Sequence, residues 1–193
     1  MTQFISRRAR LWYLLISSTV LVLDQLTKLM AVEHLAGKPP RVVIPGFFNL
    51  IYSENPGGLF GYMGDLPDPW RGLLLTVVPT IAVGLIVLFM LRTEEMDRPT
   101  LLGLSLILGG ALGNLVDRVT RGEVVDFLDA YISSPRLADW LVARFGTAHW
   151  PTFNVADSCI VMGAGLLMLT LFRPNRKPVA PDTGSTAGQP EPM

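Results

Sequence analysis

The chain is short of the residues that would support several common chemistries. It has one cysteine, Cys159, inside an apolar run, so an internal disulfide is excluded and a cysteine zinc site has no partners. It has only two histidines, His34 and His149, at loop ends and without HExxH or related spacing, so a histidine metal site is not expected. No Gly-x-Ser-x-Gly occurs, and no serine has a lysine or histidine base at helical spacing. Charge is scarce too: 17% of residues are Asp, Glu, Lys or Arg, against about 25% in soluble domains. Net charge is zero, which gives no general attraction to nucleic acid.

What is present is apolar sequence. Half of the 193 residues are hydrophobic and mean hydropathy is +0.41. A helix needs about 20 apolar residues to cross about 30 Å of hydrocarbon. Four stretches qualify, at about 11–32, 73–91, 101–119 and 155–172. The first carries Asp24 internally and no small-x-small site follows it, so it reads as a span and not a cleaved signal peptide. The expected fold is an all-α membrane bundle of four transmembrane helices, one domain over 1–173. The tail 174–193, rich in Pro, Gly, Ser and Thr, reads as disordered and cytoplasmic.

Two connections are long, 33–72 and 120–154, and four crossings put both on one side. The termini and the short turn Arg92 to Pro99 fall on the other. Arg7, Arg8 and Arg10 crowd the entry to the first span, so the termini are expected in the cytoplasm. In the first long loop, Arg41 to Ile44 and Phe47 to Tyr52 have β character around a Pro45-Gly46 turn, which predicts a small sheet between helices one and two. Tyr62, Met63, Leu66 and Trp70 suit the lipid interface.

The polar residues of the spans share one depth. Asp24 and Lys28 end span one, Asn114, Asp117 and Arg118 end span three, and Asp157 begins span four. The crossing pattern brings all of them to the face that carries Asn55, Asp126 and Asp129. A charge at mid-helix costs about 2.5–3.5 kcal/mol, so such a group signals a site at the membrane boundary. A pore would distribute polar groups along its length.

Each group also has a structural alternative. Asp24 and Lys28, four apart, suit an ion pair. Asn114 and Asp117, three apart with Arg118 adjacent, suit interhelical bonding. Asn154 and Asp157 fit the N-cap and N3 positions of a helix. Asp126, between Val125 and Phe127, is either a working carboxylate or part of a surface strand. Gly109 and Gly113 form a GxxxG, expected with Gly163, Ala164 and Gly165 to draw spans three and four together. A small transporter, a channel and a non-catalytic scaffold are the competing classes. Transporters would favour midplane polar groups and internal repeats.

The motifs resemble a known family. Leu23-Asp24-Gln25-Leu26-Thr27-Lys28, Asn55-Pro56-Gly57-Gly58-Leu59-Phe60, Gly109 to Arg118, Gly122 to Phe127, and Phe153-Asn154-Val155-Ala156-Asp157 resemble, in order, five blocks of the lipoprotein signal peptidases, or signal peptidase II. The resemblance implies an aspartic endopeptidase of the bacterial inner membrane with a periplasmic active site and no cofactor or metal. Its substrates would be diacylglyceryl-modified prolipoproteins, cut before the modified cysteine. By motif, Asp126 and Asp157 correspond to the catalytic pair, and Asp24, Lys28, Asn55, Gly57, Asn114, Asp117, Arg118 and Asn154 to substrate-binding or supporting positions. Membrane lipid and globomycin-type cyclic peptide inhibitors are the implied ligands, and a single copy is expected. Two departures stand out. Gly58-Leu59 replaces a common pair of alanines, and 132–146 reads as an inserted helix or lid.

Within the pair, the helix dipole at Asp157 favours its anion. The apolar neighbours of Asp126 favour its neutral form. The expected roles are Asp157 as base toward water and Asp126 as acid toward the scissile carbonyl.

Overall fold

The computed structural model describes residues 7–57, 67–93 and 96–172. The expected disordered tail, the interfacial residues Tyr62, Met63 and Leu66, and Gly58 to Phe60 of the second motif lie outside them. The element order is α1 (Arg7–Leu35), β1 (Arg41–Ile44), β2 (Phe48–Asn55), α2 (Asp68–Gly72), a π-helical turn (Leu73–Val77), α3 (Val78–Arg92), α4 (Arg98–Arg121), β3 (Val124–Ala130), α5 (Pro135–Phe145) and α6 (Val155–Leu171).

Three helical segments are long and apolar enough to cross a membrane: Arg10–Leu35, Trp70–Arg92 and Arg98–Arg121. A fourth apolar helix, Val155–Leu171, is shorter. The second segment starts before the expected Leu73, because α2 and the π turn run continuously into α3. Pro79 has no N–H to close the turn beneath it, and the five residues preceding α3 take the wider π pitch. Apart from Met90, the described side chains of α3 lie at least partly open, with Ile81, Leu85 and Phe89 outward. A helix apolar on every side and uncovered by protein is built for lipid.

Helix α4 is central and packs against α1, α3 and α6. It begins at an Asp97 N-cap that accepts from the Thr100 N–H and ends at Gly122 in the left-handed conformation (φ 83°). At the charged-turn end, Met90, Met96, Leu101, Leu104 and Leu108 form one apolar cluster. There the buried Arg10 guanidinium donates to the Met90 and Thr93 carbonyls, satisfying the end of α3. At the other end Ala31, Leu35, Val125 and Phe127 form a second cluster beneath the sheet.

Close packing of α4 depends on glycine, but not as the GxxxG suggested. A Cβ on Gly109 would stand 2.7 Å from the Ser17 carbonyl, and one on Gly113 would stand 2.4 Å from Asp24 Oδ2. Both therefore face α1, since residues four apart share a face. The α6 contact is made by Gly110, whose Cβ would meet the Ala156 carbonyl at 2.4 Å, and by Gly103 against Gly163. Gly165 meets nothing.

The sheet is antiparallel, in the order β1-β2-β3. The first two strands come from the loop expected to supply them. The third comes from the loop after α4, so the sheet is not confined to the connection between the first two long helices. Ser53 pairs with Asp126 and Asn55 with Val124. This pairing ties both long loops over the end of the bundle and turns Asp126 inward.

Candidate active site

The site begins with a buried ammonium. Lys28 Nζ lies 2.8 Å from Asp24 Oδ2, 2.8 Å from Asp117 Oδ2 and 2.8 Å from Asn114 Oδ1. A protonated lysine has three N–H donors, and here it has three acceptors. Asp24, Lys28 and Asp117 are each 0% exposed. Asp24 Oδ1 also accepts the Ala156 N–H (2.9 Å), one of the unpaired donors in the first turn of α6. Asp117 Oδ2 accepts the Val125 N–H (3.2 Å) at the start of β3. One ion cluster thus joins α1, α4, α6 and the sheet.

Three asparagine amides lie between this cluster and the remaining carboxylates. Their orientations follow from partners that can only donate. Lys28 must face the oxygen of Asn114, so the Asn114 NH2 turns to Asp157 Oδ1 (2.7 Å). The Asp157 backbone N–H must face the oxygen of Asn154 (2.9 Å), so the Asn154 NH2 turns to Asp126 Oδ1 (2.8 Å). The Gly57 N–H must face the oxygen of Asn55 (3.0 Å), so the Asn55 NH2 turns to Asp126 Oδ2 (3.0 Å). Asn154 also donates to Asn114 Oδ1 (3.1 Å), linking two of the amides.

Asn154 is the N-cap of α6, with Asp157 at the third position, as the spacing suggested. A Cβ on Gly57 would meet the flexible end of Leu75, at Cδ1, at 2.5 Å. Arg118 is half-buried on α4, within electrostatic reach of Asp157, Asp126 and Asp117. All ten residues singled out by sequence therefore lie around one cluster. Gln25 was missed as a bonding group: its amide donates to the Gly113 carbonyl (3.0 Å) and to Asp117 Oδ1 (3.2 Å). It stands inside the first motif, but nothing in its spacing announces a partner on another helix. Asp129 belongs elsewhere, bonded to Asn49 Nδ2 (3.0 Å) and His149 Nδ1 (2.7 Å).

Asp126 is 1% exposed and, among the described residues, accepts from the neutral amides of Asn55 and Asn154. Burial, and then the negative charge of Asp157, push its carboxyl up to about 7, against the bonds from Asn55 and Asn154. It is a carboxyl poised to hold or release a proton near neutrality, close to a second one. Paired carboxyls of this kind suit general acid–base chemistry on water and a carbonyl. Among the described residues no cluster of His, Cys, Asp and Glu is arranged to hold a metal ion.

Known proteins resemble this chain over most of its length. Residues 16–173 match the family described as signal peptidase (SPase) II. The lipoprotein signal peptidase of Syntrophus aciditrophicus is 39% identical over 165 residues, 86% of this chain and 94% of that protein. That of Solibacter usitatus is 40% identical over 162 residues, 84% of this chain and 91% of that protein. Two solved structures titled as bacterial membrane enzymes, determined in meso at 2.3 and 1.9 Å, are each 28% identical, with TM-scores of 0.65 and 0.68. They cover 82% and 83% of this chain, and 86% and 92% of their own. With a family model and relatives covering the membrane helices, the sheet and the carboxylate cluster alike, this chain belongs to the signal peptidase II family.

Proposed function

We propose that the protein is an intramembrane aspartic endopeptidase that removes signal peptides from diacylglyceryl-modified prolipoproteins, cutting before the lipid-modified cysteine. Family membership supports the broad activity on lipoprotein signal peptides. The observation that supports the aspartic mechanism is the set of three oriented asparagine amides converging on Asp126 and Asp157, neither of which forms an ion pair with a lysine or arginine among the described residues. Amides orient carboxylates but cannot neutralise them, so a shared proton takes that role.

In the resting state Asp126 carries the proton and Asp157 is the anion. Asp157 takes a proton from a water molecule as its oxygen attacks the scissile carbonyl carbon. Asp126 gives its proton to the carbonyl oxygen, leaving a neutral tetrahedral diol and exchanged protonation in the pair. Collapse breaks the C–N bond. The amine leaves with the proton held by Asp157, and Asp126 recovers its own from the diol. Arg118 adds positive potential beside the site. Asp24, Lys28 and Asp117 hold Asn114 and the start of α6 in place.

In this reading α6 is the fourth crossing. Its 17 residues extend about 25 Å at 1.5 Å per residue, close to the hydrocarbon thickness. Residues 1–173 then form one membrane domain, with both termini cytoplasmic and the pair at the periplasmic face of the inner membrane. That level suits a substrate whose acyl chains stay in lipid while its cut site meets water. The loop around Asn55 covers the bound peptide, and globomycin-type cyclic peptides compete for the same cleft.

The test is cleavage of a diacylglyceryl-modified precursor and of its unmodified counterpart by the purified enzyme, alongside the Asp126→Asn and Asp157→Asn variants. Cleavage is expected only of the modified precursor and only by the unaltered enzyme. Substantial turnover by either variant would remove the pair from the mechanism. Equal cleavage of both precursors would remove the lipid requirement.

A further inference from the structure

The excursion between β3 and α6 contains α5, and nothing assigned to the active site uses it. Its sequence, Pro-Arg-Leu-Ala-Asp-Trp-Leu-Val-Ala-Arg-Phe, is strongly amphipathic. At 100° per residue Leu137, Leu141 and Phe145, with Ala138 and Val142, fall on one side. Arg136, Asp139 and Arg144 fall on the other, with Trp140 between the two arginines. No residue of α5 is buried. Trp140 is 57% exposed, Phe145 65% and the nearby Trp150 64%. A water-soluble helix of this pattern would turn its apolar side into a core; this one has no core.

Beneath it lies an apolar cavity of about 660 Å3, lined by Phe47, Tyr131, Leu141, Phe145, His149 and Trp150 among others. Its floor is rigid. Tyr131 stacks on His149 at 5.2 Å between ring centroids, His149 is held by Asp129 at 2.7 Å, and the Tyr131 hydroxyl accepts the Gly46 N–H at 2.9 Å. The volume is in the range of pockets that enclose a small ligand, roughly 300–1,000 Å3.

The position of this element says what covers it. The excursion leaves the bundle just after the end of α4 and returns at the start of α6, and the Leu128–Phe153 and Tyr131–His149 bridges hold its two ends against β3. It therefore sits at one end of the membrane-crossing helices, beside the turn between β1 and β2, where the Ser133 N–H donates to the Gly46 carbonyl and the exposed Phe47 lines the same cavity. Arginines on one side of a helix, with leucine, valine and phenylalanine on the other, are the composition of a helix lying in a headgroup layer.

We propose that α5 and Trp150 form an interfacial docking element for the bilayer, in which the cavity takes an acyl chain of a membrane phospholipid and headgroup phosphates meet Arg136 and Arg144. The element lies apart from the carboxylate pair, and the inference rests on the membrane-crossing helices and not on the proposed chemistry. A fluorescence readout therefore separates its failure from that of the peptidase mechanism.

The test uses the full chain in nanodiscs loaded with one copy, carrying Trp12→Phe, Trp70→Phe and Trp140→Phe so that only Trp150, which lines the cavity, reports. With phosphatidylcholine brominated on its acyl chains, the emission is expected to fall by at least half relative to unbrominated discs. Emission characteristic of water and indifferent to bromine would overturn the proposal. Shielding seen only with two copies per disc would assign the face to a second copy and overturn it equally. Native mass spectrometry of the unaltered chain provides a second readout. A retained phospholipid is expected, most of it lost on Ala148→Phe, which fills the cavity. No retained lipid, or equal retention by that variant, would overturn the assignment of the cavity.

Discussion

Two sets of buried aspartates lie one asparagine apart and are neutralised in different ways. Asp24 and Asp117 have no exposed surface and share the ammonium of Lys28 in direct contact. Asp126 is almost as buried but, among the described residues, accepts from the amides of Asn55 and Asn154. The first set is closed: its charge is met by a charge and its oxygens by the backbone of α6 and β3. The second leaves a deficit that amides cannot fill, and its carboxyl is raised to about 7. Identical side chains thus give a fastening in one place and, in the proposed mechanism, a proton store in the other. Burial and the neighbouring charge of Asp157 set Asp126 apart.

The comparison breaks most visibly if the proton store is removed. Asp126→Asn and Asp157→Asn should each lower turnover of a lipid-modified precursor by about 10²–10⁴-fold, the usual contribution of general acid–base groups. Both variants should stay folded, since amide replaces carboxyl in a setting already rich in amides.

Removing the fastening should do the converse. Lys28→Met leaves Asp24 without a counterion and Asp117 with only the longer contact of Arg121 Nε, at 3.8 Å. Loss of one partner from a buried pair costs about 3–5 kcal/mol, which thermal unfolding in detergent would register. Adding Asp117→Asn should recover part of the loss.

A smaller effect is expected where the two sets meet. Asn114→Leu leaves one Lys28 donor unmet and removes a bond to Asp157. An unsatisfied buried polar group costs about 1–3 kcal/mol. Turnover should fall with KM little changed, because the amide orients a reacting group and does not bind peptide.

The mildest probe is pH. Asp126 is protonated in the folded state up to about 7 and in the unfolded state only to the ordinary carboxylate range. Its folded value is raised, so its stabilising contribution is fullest below that range and is lost as pH rises through about 7. Activity that needs Asp126 as an acid should decline on the same alkaline limb, and the pH dependence of kcat/KM should show it.

Much of this was legible in the residues. Asp24 and Lys28, four apart, announced their ion pair, and Asn154 and Asp157 announced a capped helix start. The apolar stretches gave the helices because lipid demands long uncharged runs, a strong one-dimensional signal. The direction of the glycines was not legible. Gly109 and Gly113 look alike to any neighbour, and only the position of α1 shows which helix they admit. Strand β3 was hidden for a related reason. Val-Val-Asp-Phe-Leu-Asp-Ala does not alternate, because it is covered on both faces and its two aspartates serve separate polar groups. The amide chain from Lys28 through Asn114 to Asp157 crosses three helices, so no local spacing carries it.

The central claim is that a proton, and not a cation, balances the Asp126–Asp157 pair. Infrared difference spectroscopy of the protein in lipid tests it by following the C=O stretch of protonated carboxyl groups through neutrality. A band that disappears as pH rises through about 7, and is missing from Asp126→Asn, is the predicted result. No such band at any pH in that range, or one that persists unchanged in Asp126→Asn, would contradict it.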